Sequence, residues 1–243
     1  DLTTRIILLW LARACAVPAP SPADLLDRDE HFAITAAATG DVIDGLLIGS
    51  HVRITARPDG QLTLAAPPPP VVFPGSFNPL HQGHVLLARV VEDIRQQPTT
   101  FEISVTNVDK PPLAANVVRQ RLAQFAWKSP VELTRAPTFI EKSRLFPRTT
   151  FVIGVDTAER LVASRYYDND EDLMHSALEA MGSAGNAFLV AVRVDAAARL
   201  RTLRDIPLPH LYADLFSEIP EHRFRFDTSS TEIRTRAAQA NTG

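Results

Sequence analysis

Residues 71–88 read VVFPGSFNPLHQGHVLLA. The apolar residues 71–73 are typical of a short buried strand, and a turn containing Gly75 follows them. Apolar side chains at helical spacing between positions 87 and 94 then predict a helix over 83–96. A strand, a glycine turn and a helix in this order place backbone N–H groups and the positive end of the helix dipole at the carboxyl edge of a sheet. The segment therefore predicts an anion-binding site.

Strand and helix patterns alternate after this segment. Apolar runs predict strands at 101–105, 131–133, 150–155 and 187–192, and amphipathic patterns predict helices at 113–127 and 171–181. Because parallel strands need helical crossovers, this alternation predicts an α/β fold with a parallel sheet covered by helices on both faces. Ligands of such folds bind at the carboxyl ends of the strands.

Residues 67–70 are four consecutive prolines, which favour a stiff, extended linker. We take them as a domain boundary. Before them, residues 1–66 predict a small α+β segment, with an amphipathic helix over about 3–16 and a β-hairpin over 51–65. After them, residues 71–243 predict the main α/β domain.

The composition excludes several classes of partner. The chain has 243 residues, 45% of them apolar and 22% charged, as in ordinary soluble globular proteins. Its formal net charge of -3 lacks the excess of positive charge with which proteins bind nucleic acid. No apolar run approaches the ~20 residues that span a bilayer. The single cysteine, Cys15, allows no internal disulfide and fits a reducing compartment. We therefore expect a cytoplasmic protein without nucleic-acid or membrane partners.

His81 and His84 lie three residues apart at the start of the predicted helix. At this spacing their imidazoles emerge on nearly the same side. Two adjacent imidazoles can donate hydrogen bonds to phosphate oxygens whose charge grows as a bond to phosphorus breaks. The alternative interpretation is a helix start with two solvated histidines.

A second motif, DTSSTEIR, occupies residues 227–234. Ser229 with Glu232 three residues later forms a capping box, which predicts a helix start with free N–H groups. The hydroxyls of residues 229–231 and the planar guanidinium of Arg234 add hydrogen-bond donors for phosphate. Taken alone, the motif also fits an ordinary helix start with a surface arginine.

The two motifs together resemble those of the HxGH nucleotidylyltransferase superfamily. GSFNPLHQGH is similar to its HxGH signature, and DTSSTEIR is similar to its SSTxIR motif. The resemblance runs over residues 71–236. It implies a dinucleotide-binding-like (Rossmann-like) fold, transfer of a nucleoside monophosphate from ATP to a phosphorylated acceptor, and Mg²⁺ carried with the triphosphate. It also implies catalytic roles for His81, His84 and Arg234, and phosphate binding by Gly75, Ser76, Phe77, Gly83, Ser229, Ser230 and Thr231.

Four further segments resemble nicotinamide mononucleotide (NMN) adenylyltransferases. They are NVDKPPL at 107–113, followed by Arg119 and Arg121 on a helix, then APTFIEK at 136–142, FVIGVD at 151–156 and VAVR at 190–193. The resemblance implies that Arg193 lies near adenine. It also implies that the acceptor is bound by Asn107, Lys110, Phe139, Lys142, Gly154 and Asp156. One departure concerns the tryptophan that many such enzymes carry soon after Gly-x-Asp, because Tyr166 and Tyr167 occupy that region here. The two lysines also fit solvated positions, and Asp156 also fits a helix cap.

Several alternatives stay open. The acceptor could be a pantetheine or alcohol phosphate instead of NMN, and the donor could be CTP instead of ATP. A rival of another class is a non-catalytic nucleotide-binding module that regulates the front segment. Residues 1–66 faintly resemble the tail of a CinA-type (nicotinamide-nucleotide amidase-like) domain, and assembly as a homo-oligomer is possible.

Overall fold

The computed structural model describes residues 2–15, 17–18, 39–108, 111–195 and 199–224. The chain divides into two compact units, residues 1–38 and residues 39–243. The first unit contains helix α1 (Leu2–Ala14), in agreement with the helix predicted over 3–16. None of the described helices is long and apolar enough to cross a membrane. The second unit contains the sheet and the candidate site.

The second unit alternates strands and helices along the chain. Its helices are α2 (Thr39–Ile48), α3 (Gln82–Arg95), α4 (Ala115–Ala123), α5 (Phe139–Leu145), α6 (Val155–Leu161) and α7 (Glu171–Ser183). Its strands are β1 (Arg53–Ala56), β2 (Leu62–Thr63), β3 (Val71–Pro74), β4 (Thr99–Ser104), β5 (Val131–Thr134), β6 (Thr150–Gly154), β7 (Ala187–Ala191), β8 (Arg193–Val194), β9 (Leu200–Arg201) and β10 (Phe216–Ile219). Short 3₁₀ helices cover Ser164–Tyr166, Leu203–Asp205 and His210–Leu215.

Within the described residues, eight strands form one sheet in the order β10-β7-β6-β3-β4-β5-β1-β2. All neighbours from β10 to β5 pair in parallel, whereas β1 pairs antiparallel with both β5 and β2. The strand order reverses between β3 and β6, since the chain runs from β3 to β5 on one side and from β6 to β10 on the other. Such a reversal opens a crevice at the carboxyl ends of the two central strands. This mostly parallel, Rossmann-like α/β sheet confirms the predicted fold class.

Two apolar clusters cover the two faces of the sheet. In β3, Val71 and Phe73 belong to one cluster and Val72 to the other, because successive side chains of a strand point to opposite faces. The first cluster contains buried residues of α2 and α3, and the second contains buried residues of α6 and α7. The parallel strands are therefore buried on both sides, which explains their nearly continuous apolar sequences.

The hairpin predicted over 51–65 is present as β1 and β2, but it does not belong to a separate front segment. Strand β1 pairs with β5 along its whole length. Arg53 of β1 also donates two hydrogen bonds to the buried Glu132 of β5, from Nε at 2.8 Å and from an Nη at 3.0 Å. Residues 39–66 are thus part of the larger unit, and the division falls after residue 38 instead of at the prolines. The sequence could not show this, because the pairing joins residues far apart in the chain.

Candidate active site

The loop between β3 and α3 is packed around the ring of Phe77. Phe77 has a positive φ of 43° and is only 1% exposed. Its ring makes edge contacts with Phe73, Phe101 and Phe125 at centroid distances of 5.2 to 5.5 Å. The side chain of Phe77 therefore belongs to the core and supports the loop from beneath, which leaves its backbone N–H as the group that a phosphate could contact.

Gly75 is required by this packing. A Cβ atom at position 75 would lie 2.6 Å from Cζ of Phe77, well inside van der Waals contact. We expect Gly75→Ala to lower the free energy of unfolding by about 1–3 kcal/mol, because the ring must shift within a packed core. Urea denaturation measures this. Gly154→Ala is the matched control for stability, since its Cβ would meet no atom within 4 Å. Equal unfolding midpoints for the two variants would contradict the packing argument.

The two histidines are held against each other at the start of α3. His81 immediately precedes the helix, and its ring stacks on that of His84 with a centroid distance of 3.7 Å. The backbone N–H of His81 donates to Nδ1 of His84 at 3.3 Å. Phe77 makes an edge contact with His84 at 5.0 Å, so the aromatic core fixes this imidazole from behind. In its neutral form His84 therefore carries its proton on Nε2.

Burial keeps this pair neutral. Desolvation, together with a smaller contribution from the neighbouring His81, lowers the pKa of His84 to about 3. Burial also lowers the pKa of His81. At neutral pH His84 is consequently an uncharged imidazole that can donate one hydrogen bond through Nε2. The N–H of His84 donates to the carbonyl of His81 at 3.0 Å, whereas the N–H groups of Gln82 and Gly83 at the start of α3 are further donors for an anion.

Gln124, which sequence reasoning missed, braces the same loop. Its Oε1 accepts a hydrogen bond from the backbone N–H of Leu80 at 2.7 Å, and its Nε2 donates to the carbonyl of Phe77 at 2.9 Å. One side-chain amide thus holds both ends of the segment that leads into His81. A lone glutamine after a helix gives no sequence signal for this role, because the contacts join residues more than 40 positions apart.

A cavity of about 580 Å³ lies at the carboxyl ends of β3, β4, β5 and β6. This is where the reversal of the strand order predicts a ligand. Its lining includes Gly75 and Ser76 of the β3–α3 loop and four predicted acceptor residues, which are Asn107, Phe139, Lys142 and Gly154. It also includes residues that sequence reasoning did not assign: Phe73, Pro74, Asn78, Glu102, Ser104, Val105, Thr106, Pro111, Leu113, Arg121, Pro137, Ile153 and Thr157.

The remaining predicted residues are distributed differently. Gly83, like the two histidines, lies at the start of α3 and is absent from the lining of the cavity. Asp156, in the first turn of α6, forms an ion pair with Arg193 of β8, so the residues expected near the acceptor and near adenine contact each other. Five predicted residues lie outside the part of the chain that the structure describes: Lys110, Ser229, Ser230, Thr231 and Arg234.

Lys142 is buried, in contrast to the solvated position that the sequence also allowed. Its Nζ donates to Oε1 and Oε2 of Glu102 at 2.8 and 2.9 Å and to the carbonyl of Ala136 at 2.7 Å. An ammonium group has three donors, so all of them are used. Glu102 is 1% exposed and also accepts a hydrogen bond from Thr134 Oγ1. This buried ion pair forms part of the cavity wall.

The described residues contain no group of three or more His, Cys, Asp or Glu side chains that could hold a metal ion. Among the described residues that line the cavity, the one carboxylate is that of Glu102, and it is paired with Lys142.

A comparison with protein families adds independent evidence. The model of the family described as cytidylyltransferase-like matches residues 72–236, which is more than half of the chain. The match begins within β3 and contains both histidines, the whole cavity lining and the 227–234 motif. A search of the curated proteins finds no match. The family supports a nucleotidyltransferase activity, with a nucleoside triphosphate and an acceptor as substrates. The chain belongs to the cytidylyltransferase-like family.

Proposed function

We propose that the protein transfers AMP from ATP to NMN and releases pyrophosphate. The observation that carries this proposal is the cavity at the reversal of the strand order. It joins the phosphate-binding type of loop at 75–76 to three of the segments that resemble NMN adenylyltransferases, through Asn107, Phe139 and Gly154.

In this proposal the triphosphate of the donor ATP lies against the start of α3. An oxygen of the acceptor phosphate attacks the α-phosphorus of ATP, the bond to the bridging oxygen breaks, and pyrophosphate leaves with the electron pair. The Nε2–H of His84 and the adjacent His81 donate to the oxygens on which this charge develops. No protein nucleophile is needed. Ser229, Ser230, Thr231 and Arg234 are proposed to bind the triphosphate from its other side, and Mg²⁺ arrives with the triphosphate.

In this proposal the acceptor NMN lies in the cavity. Phe139 offers an aromatic ring whose orientation is fixed by edge contacts with Phe151 and Phe188 at 5.5 and 5.7 Å. A pyridine ring can stack on such a surface. Asn107 is exposed at the cavity and can pair with an amide substituent.

A substrate panel tests the proposal. The protein is incubated with ATP or CTP and with NMN, nicotinic acid mononucleotide or phosphopantetheine, and both pyrophosphate and the product mass are measured. We expect ATP with NMN to give the highest kcat/KM. Turnover with CTP or with phosphopantetheine instead would reassign the donor or the acceptor. If the protein binds ATP but releases no pyrophosphate with any of the acceptors, the non-catalytic regulatory module becomes the better account.

A further inference from the structure

We propose that Gln124 is a positioning residue for nucleotidyl transfer: its side-chain amide fixes the two histidines relative to the acceptor cavity. The inference rests on the proposed function. Gln124 caps the C-terminal end of α4 and is absent from the lining of the cavity. It therefore acts through the groups that it holds, and none of the sequence motifs assigned it a role.

The amide of Gln124 has one orientation that satisfies both of its partners in the β3–α3 loop. The N–H of Leu80 can only donate, and it donates to Oε1 at 2.7 Å. The carbonyl of Phe77 can only accept, and it accepts from Nε2 at 2.9 Å. A donor and an acceptor side by side are found in an amide but not in an ionised carboxylate or an apolar side chain. The loop is thus matched to a side-chain amide at position 124.

Each end of the held segment leads to one of the histidines. Leu80 directly precedes His81 in the chain. The ring of Phe77 contacts that of His84 at 5.0 Å, and the two imidazoles stack at 3.7 Å. A shift of either end would therefore displace both imidazoles. Hydrogen-bond donors stabilise a transition state only where they meet the developing charge, so a displacement of about 1 Å can cost ~100-fold in rate.

The same amide reaches the acceptor side of the site. Nε2 of Gln124 also donates to the carbonyl of Arg121 at 3.3 Å, and Arg121 lines the acceptor cavity from the last turn of α4. One side chain thus joins the loop that leads to the histidines to a wall of the cavity. In-line attack requires both substrates in alignment. We expect the loss of this link to impair the transfer step and not the binding of either substrate alone.

The aromatic core holds the ring of Phe77, but packing alone does not hold the residues that follow it. Asn78 lines the acceptor cavity, and Leu80 lines a second cavity of about 480 Å³ together with Val85 and Phe125. Residues 78–80 therefore lie between two cavities. Because close packing is what restrains side chains in a protein interior, a segment bordered by a cavity on each side depends on its hydrogen bonds for a fixed position.

Gln124→Met and Gln124→Glu test the inference, with Gln97→Met and Gln97→Glu as matched controls. Methionine has nearly the shape of glutamine but makes neither hydrogen bond, whereas glutamate keeps only the acceptor for Leu80. Gln97 is exposed, follows α3 and lines neither cavity. Steady-state kinetics gives kcat, and calorimetry gives the Kd of ATP and of NMN separately. We expect both Gln124 variants to lower kcat about 10- to 100-fold and to change each Kd less than about 3-fold, with both Gln97 variants equal to the parent.

NMR of the imidazoles supplies a readout that needs no turnover. Stacked rings shift one another's resonances, so the His84 signals should move in Gln124→Met and stay in place in Gln97→Met. An unchanged kcat, unmoved His84 signals, or a loss of ATP affinity in place of kcat would overturn the inference. Loss of folding in both Gln124 variants would overturn it too, since the amide would then serve stability alone. If the parent releases no pyrophosphate with any acceptor, the proposed function fails, and the His84 signals still decide whether Gln124 positions the histidines.

Discussion

Replacing His84 with alanine is expected to lower kcat for pyrophosphate release about 10²–10³-fold, with a much smaller change in the KM for ATP. Removal of one preorganised donor to a developing anion typically costs about 2.7–4 kcal/mol in the transition state. The effect falls on kcat because the charge on the leaving pyrophosphate rises only as the bond to the α-phosphorus breaks. Steady-state kinetics with saturating acceptor measures both constants.

Two comparisons separate this chemical role from a packing role. His84 makes edge contacts with Phe77 and Phe73, so the melting temperature of His84→Ala is measured alongside its turnover. His210→Ala removes an exposed histidine at the start of a 3₁₀ helix and should leave kcat unchanged. If the folded His84→Ala protein kept its turnover within a few-fold of the parent, the HxGH motif would have no catalytic role.

The pKa of His84 also predicts a pH dependence in the protein without nucleotide. The folded pKa of about 3 lies below the ordinary 6.5, so the unfolded chain binds a proton that the folded chain does not between these values. The contribution of His84 to the free energy of unfolding should therefore be fully present above pH 6.5 and should decline as the pH falls toward 3. NMR of the imidazole should show His84 uncharged from pH 8 to 5. A midpoint for His84 near 6.5 would contradict the burial argument.

The central fold was predictable because its apolar residues follow regular strand and helix patterns over long segments. Strands β3 to β7 and helices α3, α4 and α7 all lie where the sequence placed them, because buried strands and amphipathic helices leave regular patterns. Helices α5 and α6 have seven residues each, too few for two full turns of periodicity. Helix α5 was missed, and α6 was anticipated only through Asp156 as an alternative helix cap. The two end residues of β10 are buried and the two middle ones are not, so its side chains do not alternate and gave no clear strand pattern.

The site was predictable as a segment but not side chain by side chain. The spacing of His81 and His84 indicated neighbouring imidazoles, and their rings do stack. Phe77 stood between two residues of a phosphate-binding type of loop, yet its backbone with positive φ turns the ring into the core. No local pattern distinguishes these outcomes, since they depend on Phe101 and Phe125 from other elements.

The pairing of Lys142 has the same non-local origin and leads to a large expected effect on stability. Lys142→Met should lower the free energy of unfolding by about 3–5 kcal/mol, because it leaves the carboxylate of Glu102 buried without its cation. Chemical denaturation measures this. Arg144→Met is the control, since Arg144 lies on the same helix α5 with an exposed side chain. An unfolding midpoint for Lys142→Met equal to that of the control would mean that the ion pair does not stabilise the fold.

A double variant then decides whether Lys142 also binds the acceptor. Replacing Glu102 with leucine together with Lys142→Met removes both charges, so most of the lost stability should return. If the lysine serves only the fold, NMN binding should return together with stability. If the resemblance is right and Lys142 leaves Glu102 to contact the acceptor, the stable double variant should still bind NMN at least 10-fold more weakly, a loss consistent with one charged hydrogen bond.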